Sequence, residues 1–290
     1  MERRIALIGF GEAAQAFAGA LAGTLSAYDR KTDAAETRAA KQAEFASHAV
    51  AGQASPCDAL AGADAALSLV TADQALAAAE AAEGIATNAF WFDMNSVAPG
   101  TKRAAAQAIA RRGGRYVDVA VMAPVHPARA AVPLLASGPD AAEGAALLRA
   151  IGFASVSVVD GPVGAASAIK LIRSIMVKGI EALSAECVLA AEAAGVRDAV
   201  IASLDASWPG ADWARRFDYN LDRMIVHGAR RAAEMDEAVA MLDTLGAGSA
   251  MSRAAAARQR AIGGLGIASP QGLDAKLAAL RPVVVRERAA

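Results

Sequence analysis

The first half of the chain alternates between two hydrophobic periods. Short, nearly continuous apolar runs recur at residues 5–8, 25–28, 65–70, 89–92, 116–119, 132–136 and 155–159, the pattern of strands buried on both faces. Between several of them lie Ala-rich stretches at helical spacing, among them 13–22, 36–48, 75–82 and 101–110. Strand–helix alternation of this kind predicts an α/β fold on a doubly wound, mostly parallel sheet.

After Gly161-Pro162 the texture changes. Residues 165–194 contain no proline and one glycine, Gly179, before Gly195 offers a C-cap, so the spacing predicts one long helix. At about 1.5 Å per residue it spans about 45 Å, enough to leave one domain and enter another. Met224, Met235, Val239, Leu242 and Leu245 then recur at helical spacing and read as a core stripe. The expected organisation is a sheet domain over 1–161 and an all-α C-terminal domain over 162–290, joined by the long helix, with a short Arg/Ala-rich tail after Pro282.

Composition narrows the function. A chain of 290 residues accommodates two medium domains. Its apolar fraction of 55% is largely alanine and so signals helix more than a bulky core. Aromatics at 4% and a net charge of −1 leave neither a stacking platform nor a basic footprint for nucleic acid. The expected partner is therefore a small diffusible substrate. Cys57 and Cys187 lie far apart, and His48, His126 and His227 are scattered. This fits a reduced cytoplasmic protein without a structural metal. The basic start and apolar residues 5–8 superficially resemble an export signal. Glu12 and Gln15 interrupt that region, and a strand entering a glycine turn is the better use of it. No segment reaches the apolar length of a membrane span.

The glycine turn is Gly9-Phe10-Gly11-Glu12-Ala13-Ala14, a G-x-G-x-x-A pattern between an apolar run and an Ala-rich helix, the context of a Rossmann-type dinucleotide site. Gly9 makes the tight turn, Gly11 lets backbone approach a pyrophosphate, and the helix start offers N–H groups to phosphates. Asp29 lies twenty residues beyond Gly9, where a carboxylate accepts from the adenine ribose and favours NAD. Arg30 and Lys31 follow directly and can instead pair with the 2′-phosphate of NADP. Thr71, Asn95 and Ser96 close two later apolar runs, where ligands of open α/β sheets gather; each also suits an ordinary turn.

A second glycine turn, Gly161-Pro162-Val163-Gly164, opens the long helix and places Lys170 within its first turns. Lys170, Ser174 and Lys178 share one face by their four-residue spacing. Most lysines on Ala-rich helices are solvated, but Lys170 is embedded between Ala168-Ile169 and Leu171-Ile172.

The nucleotide turn, Asp93-x-Asn95-Ser96, Asp118-Val-Ala-Val-Met-Ala-Pro124 and the glycine turn with Lys170 together resemble the β-hydroxyacid dehydrogenase family, which includes 3-hydroxyisobutyrate and 6-phosphogluconate dehydrogenases. The runs Lys170-Leu-Ile-Arg-Ser174 and Gly228-Ala-Arg-Arg-Ala-Ala-Glu-Met235 resemble its 6-phosphogluconate dehydrogenase-like branch with a distinctive helical C-terminal domain. The resemblance implies an NAD(P)-dependent oxidoreductase acting on a small β-hydroxyacid or related alcohol, and a homodimer joined through its helical domains. It also implies that Lys170 is the acid/base, with Arg173 either lowering its pKa or binding a substrate carboxylate. Two departures stand out. Ser174 occupies the family's asparagine position one turn after the lysine, and Met122-Ala123-Pro124 replaces its substrate-binding serine and glycines. His126 and Arg129 lie in that altered loop. Arg230 and Arg231, on a helix expected to begin near Asp222, are further substrate-binding candidates. The alternatives are an imine or carbonyl reductase of similar build, whose members commonly lack the lysine, and a non-catalytic NAD(P) sensor or assembly protein.

Overall fold

The structure, a computed structural model, describes residues 2–287. The chain divides into two compact units, Met1–Lys170 and Leu171–Ala290.

In the first unit eight strands, among the described residues, form one sheet: β1 (Arg4–Ile8), β2 (Thr24–Tyr28), β3 (Ala51–Gly52), β4 (Ala65–Ser68), β5 (Phe90–Asp93), β6 (Arg115–Val121), β7 (Leu134–Ser137) and β8 (Val156–Val158). Their order is β3-β2-β1-β4-β5-β6-β7-β8. Every pair is parallel except the antiparallel β6–β7, so the expected doubly wound sheet is present. The helices are α1 (Glu12–Ala18), α2 (Ala35–Ser47), α3 (Pro56–Leu60), α4 (Ala75–Glu80), α5 (Pro99–Arg111) and α6 (Ala141–Ala150).

Strand alternation supplies two cores. Ile5, Leu7, Leu67, Phe92 and Val117 pack with Phe10 and Phe17 on one face. Ala6, Ile8, Ala66, Trp91 and Tyr116 pack with Ile109 on the other. Both faces being covered explains why the strands read as apolar runs rather than alternating ones. The helix expected over 13–22 stops at Ala18, where Gly19 caps it through its N–H to Phe17 O. Strand β3 is a two-residue edge strand, too short to carry a hydrophobic period.

The second unit is helical. Helix α7 (Ala165–Ala193) starts in the first unit and ends before Gly195, which takes φ +71°. Then come α8 (Arg197–Ser207), α9 (Trp213–Leu245), α10 (Ala250–Gly263) and α11 (Leu273–Glu287). Val188, Leu189, Phe217, Leu221, Met224, Met235, Ile262 and Leu277 form the core. Met224, Met235 and Val239 of the expected stripe are buried, whereas Leu245 is exposed and Met241 is buried in the stripe's last turn. Gly228 and Gly263 let α9 and α10 touch backbone to backbone: a Cβ on Gly228 would lie 2.4 Å from Gln259 O and 2.8 Å from Gly263 Cα. The expected tail after Pro282 instead continues α11 to Glu287, and residues 288–290 lie outside the described residues.

Candidate functional site

Strand β1 delivers the chain into the glycine turn at the sheet's carboxyl edge. Gly9 takes φ +87°, and a Cβ there would stand 2.7 Å from Leu69 O, so both conformation and space demand glycine. Its N–H donates to Tyr28 O at 2.9 Å. Gly11 is the N-cap of α1, and a Cβ on it would meet nothing within 4 Å. That open space is what a group approaching the backbone requires. Glu12 is exposed and Ala13 half-buried on α1.

Phe10 itself is core, its ring 4.9 Å from Phe45 and 5.6 Å from His48. Its backbone, not its ring, makes the polar contacts of the glycine turn. Phe10 N–H donates to Asp29 Oδ2 at 2.8 Å, and Lys31 N–H donates to Asp29 Oδ1 at 2.9 Å. Asp29 thus ties the end of β2 to the glycine turn, and each carboxylate oxygen keeps a lone pair for a further donor. Sequence reasoning missed Lys41. It is buried on α2, donates to Phe10 O at 2.9 Å, pairs with Glu44 and lies 3.9 Å from Asp29 Oδ2. The Tyr28 phenol is pushed up to about 12, first by burial and then by its hydrogen bond to Asp33. Arg30 and Thr71 are exposed.

The sheet register assembles a second polar group. Ser68 pairs with Asp93, Asp93 with Asp118, and Asp118 with Ser137. All four are fully buried, and so is Lys102 of α5. The Lys102 ammonium donates to Asp93 O at 2.7 Å and Asp93 Oδ1 at 2.9 Å, and lies 3.2 Å from Asp118 Oδ1. Tyr116 donates to Asp93 Oδ2 at 2.7 Å; burial, and then the neighbouring Asp93, raises its phenol well above the ordinary value. Asn95 donates through its amide to Asp93 Oδ1 at 2.8 Å and Ser68 Oγ at 2.9 Å. Its own Oδ1 is buried without a hydrogen-bond partner.

On the other side of the group, Asp118 Oδ2 accepts from the N–H groups of Gly164 at 3.1 Å and Ser167 at 3.0 Å, and Oδ1 from Ser167 Oγ at 2.6 Å. Ser137 Oγ accepts from Ala166 N–H at 3.0 Å and donates to Asp118 Oδ2 at 3.1 Å. The start of α7 is thereby anchored to β6 and β7. Three residues past Ser167, Lys170 Nζ hydrogen-bonds Ser96 Oγ. The structure therefore brings Asn95, Ser96 and Lys170 together within the first unit. Ser68, Lys102 and Ser137 were not singled out from the sequence. Met122, half-buried after β6, donates its N–H to Pro133 O at 2.9 Å, while His126 and Arg129 are exposed.

The remaining candidates belong to the second unit. Ser174 is buried and Arg173 exposed. Helix α9 begins at Trp213, not near Asp222. On it Arg230 is exposed and pairs with Glu234 at 2.9 Å. Arg231 is buried: its Nε donates to Glu181 Oε2 at 3.0 Å, and its second nitrogen pairs with Glu181 Oε1. Gln259 Nε2 also donates to Glu181, at 2.8 Å. Arg231 is thus committed to tying α7 to α9. Buried Lys178 pairs with Glu234 at 2.8 Å. Burial pulls its pKa below the ordinary lysine value, against the attraction of Glu234.

A mostly parallel sheet with this glycine turn at its carboxyl edge defines a Rossmann-type, dinucleotide-binding class of protein. The chain belongs to the 6-phosphogluconate dehydrogenase-like family: the NAD binding domain of 6-phosphogluconate dehydrogenase matches residues 4–159, and a domain of unknown function (DUF1932) matches residues 191–262. No curated protein matches it. Among solved structures, a conserved hypothetical protein from Sinorhizobium meliloti 1021 is 38% identical, covering 99% of this chain and 97% of its own, with a TM-score of 0.78. The conserved protein MTH1747, of unknown function and structurally similar to 3-hydroxyacid dehydrogenases, is 28% identical over 91% of this chain and 100% of its own, with a TM-score of 0.69. The 3-hydroxyisobutyrate dehydrogenase of Mycobacterium tuberculosis shares the fold at 17% identity, covering 97% and 100% of the two chains, with a TM-score of 0.72. No helix among the described residues is long and apolar enough to cross a membrane.

Proposed function

We propose that this protein is an NAD(P)-dependent oxidoreductase acting on a small β-hydroxyacid or related alcohol, with Lys170 as the general acid/base. The observation that carries the reading is the contact between Lys170 Nζ and Ser96 Oγ. It holds a lysine amine at the end of β5, on the carboxyl edge where the Gly9 turn also lies.

The residues present fit a dinucleotide. Gly9, Phe10, Gly11, Glu12 and Ala13 form a turn whose backbone is open beside Gly11 and suits a pyrophosphate. Asp29 retains acceptor capacity for ribose hydroxyls, which favours NAD, because a 2′-phosphate would face its carboxylate. Arg30 is the residue that would offset this for NADP. Thr71 lies three residues past the end of the neighbouring strand β4, Ser96 supplies a hydroxyl beside Lys170, and Asn95 directly precedes it. When bound, the nicotinamide supplies the hydride acceptor or donor.

Within this reading, neutral Lys170 takes the substrate hydroxyl proton as the alcohol becomes a carbonyl, and the resulting ammonium returns it in the reverse direction. Ser96 orients Nζ through its hydroxyl. Ser174, one turn further along α7, offers a hydroxyl to substrate, with Arg173 or Arg230 for a carboxylate. Arg231 and Met122 are weaker candidates, since the first is engaged by Glu181 and the second has no donor to offer. Residues 1–161 would then bind cofactor, and residues 162–290 would carry the catalytic helix and a homodimer surface. Ile172, Met176, Ile180 and Leu183, all exposed along one stripe of α7, support that surface. Sedimentation velocity of the Met176→Glu, Leu183→Glu double variant tests it.

The test of the reaction is Lys170→Ala, assayed against a panel of β-hydroxyacids with each dinucleotide. Turnover should fall by about 10²–10⁴-fold while dinucleotide affinity, measured by calorimetry, stays unchanged. Retained turnover in the variant would refute the assignment of Lys170, and failure of the wild type to bind either dinucleotide would refute the whole reading.

A further inference from the structure

Both partners of the Lys170–Ser96 contact are held from behind by buried carboxylates. Asp93 accepts from Asn95 through the Asn95 backbone N–H at 3.0 Å and its side-chain amide at 2.8 Å, which fixes the residue next to Ser96. Asp118 accepts from Gly164, from Ser167 N–H and from Ser167 Oγ, which fixes the first turn of α7. Ser167 and Lys170 are three apart and share a helix face, so anchoring one orients the other. The two carboxylates are register neighbours on β5 and β6, and Lys102 reaches both.

Two carboxylates side by side, both fully buried, repel each other and lose hydration. A single cation leaves the group with a net charge of −1, which Tyr116 O–H and the N–H groups opening α7 then meet. A carboxylate is also what the N-terminus of a helix favours, through its unpaired N–H groups and its dipole. Tethering α7 alone would need only Asp118 or Ser137. The additional placement of Lys102, in contact with Asp93 and Asp118 alike, couples the end of β5 to the start of α7. Those are the two segments that carry Ser96 and Lys170.

We infer that Asp93, Lys102 and Asp118 form a buried positioning unit that sets the distance and orientation of Lys170 against Ser96, one carboxylate holding each partner. None of the three touches the reacting atoms. Their role rests on Lys170 being the proton-transfer residue of the proposed reaction, but the geometry they impose exists without substrate. In Asp118→Asn the amide turns N–H donors toward N–H and O–H donors, and Lys102 keeps only Asp93. In Ser167→Ala all charges remain and only the Ser167 Oγ bond to Asp118 is cut, the backbone N–H bonds from Gly164 and Ser167 being kept.

The test has two arms. In the first, the full-length protein without substrate is labelled competitively with acetic anhydride across a pH series, and the rate at Lys170 is read by peptide mass spectrometry against exposed Lys31. Asp118→Asn should move the relative Lys170 rate by about threefold or more, the equivalent of half a unit in its ionisation, and Ser167→Ala should move it in the same direction by less. In the second arm, turnover of the best hydroxyacid should fall by about tenfold to a hundredfold, with dinucleotide affinity within a factor of two. An unchanged Lys170 labelling profile in folded Asp118→Asn overturns the positioning role. Should that variant fail to fold, an unchanged profile in both Ser167→Ala and Asp93→Asn overturns it. If the wild type turns over nothing in the panel, the proposed reaction fails, and the labelling arm still decides the positioning.

Discussion

Replacing Lys102 with methionine should cost more stability than a single lysine normally does. Its ammonium makes contacts of 2.7, 2.9 and 3.2 Å to Asp93 O, Asp93 Oδ1 and Asp118 Oδ1, and none of the three side chains reaches solvent. Methionine keeps most of the volume, so no large cavity opens and the loss is electrostatic. The group passes from a net charge of −1 to −2 with no water to screen it. Breaking a buried pair on one side costs about 3–5 kcal/mol, a large share of the roughly 5–15 kcal/mol that holds a domain together. With a urea slope of about 3 kcal/mol per molar, the midpoint should fall by about 1–1.7 M. Trp91 is buried in the sheet, and Trp208 and Trp213 lie on the helical side. Fluorescence-detected unfolding in a Trp208→Phe, Trp213→Phe background therefore reports the first unit. Adding Asp93→Asn to Lys102→Met should recover part of the loss, because one uncompensated charge goes with it. A loss below about 1 kcal/mol, the size expected of an exposed lysine, would refute the account of the buried group.

Three further outcomes are expected. Gly228→Ala should destabilise the helical unit by about 1–2 kcal/mol in urea unfolding, since the close approach to Gln259 O and Gly263 gives an overpacking cost that outweighs the helix-propensity gain; a stabilised variant would contradict the backbone contact. Lys178 is held below the ordinary lysine value of 10.5 by burial, with Glu234 and Glu181 opposing and Arg231 assisting. The unfolded chain therefore binds more protons than the native one as pH approaches 10.5, and stability rises with pH there. The urea midpoint of the wild type should accordingly gain on that of Lys178→Met as pH is raised toward 10.5, and a constant difference would contradict it. Asp29→Asn should weaken NAD by about tenfold, the value of one charge-assisted hydrogen bond, and leave NADP unchanged or tighter; equal weakening of both in calorimetry would remove Asp29 from cofactor choice.

The sheet was legible as short apolar runs buried on both faces, and the long helix as an unbroken stretch without proline. The Gly9 turn was legible because its glycines sit between an apolar run and an Ala-rich helix, with Asp29 twenty residues further on. Lys170 stood out through its apolar neighbours. The buried polar group was not legible as a unit, because its members reach one another through strand register. Ser68, Asp93, Asp118 and Ser137 are separated by 19–25 residues at each step, and only the sheet order makes them neighbours. Lys102 lies in an Ala-rich helix, where a lysine reads as solvated, yet it is fully buried. Arg231 shows the converse. Next to Arg230 it looks like half of a basic pair for substrate, but its partner, Glu181, sits fifty residues earlier on another helix. Ion pairing between distant helices leaves no trace in local spacing.

The central claim is that the Lys170 amine moves the proton of a hydroxyl on the substrate. Chemical rescue tests it most directly: Lys170→Ala, saturated with dinucleotide and hydroxyacid, is titrated with small primary amines of graded basicity. The account predicts that turnover returns in proportion to amine concentration and varies with amine pKa as general-base catalysis requires. A variant that binds both ligands yet shows no response to any amine, or that needs none because its rate is undiminished, would contradict it.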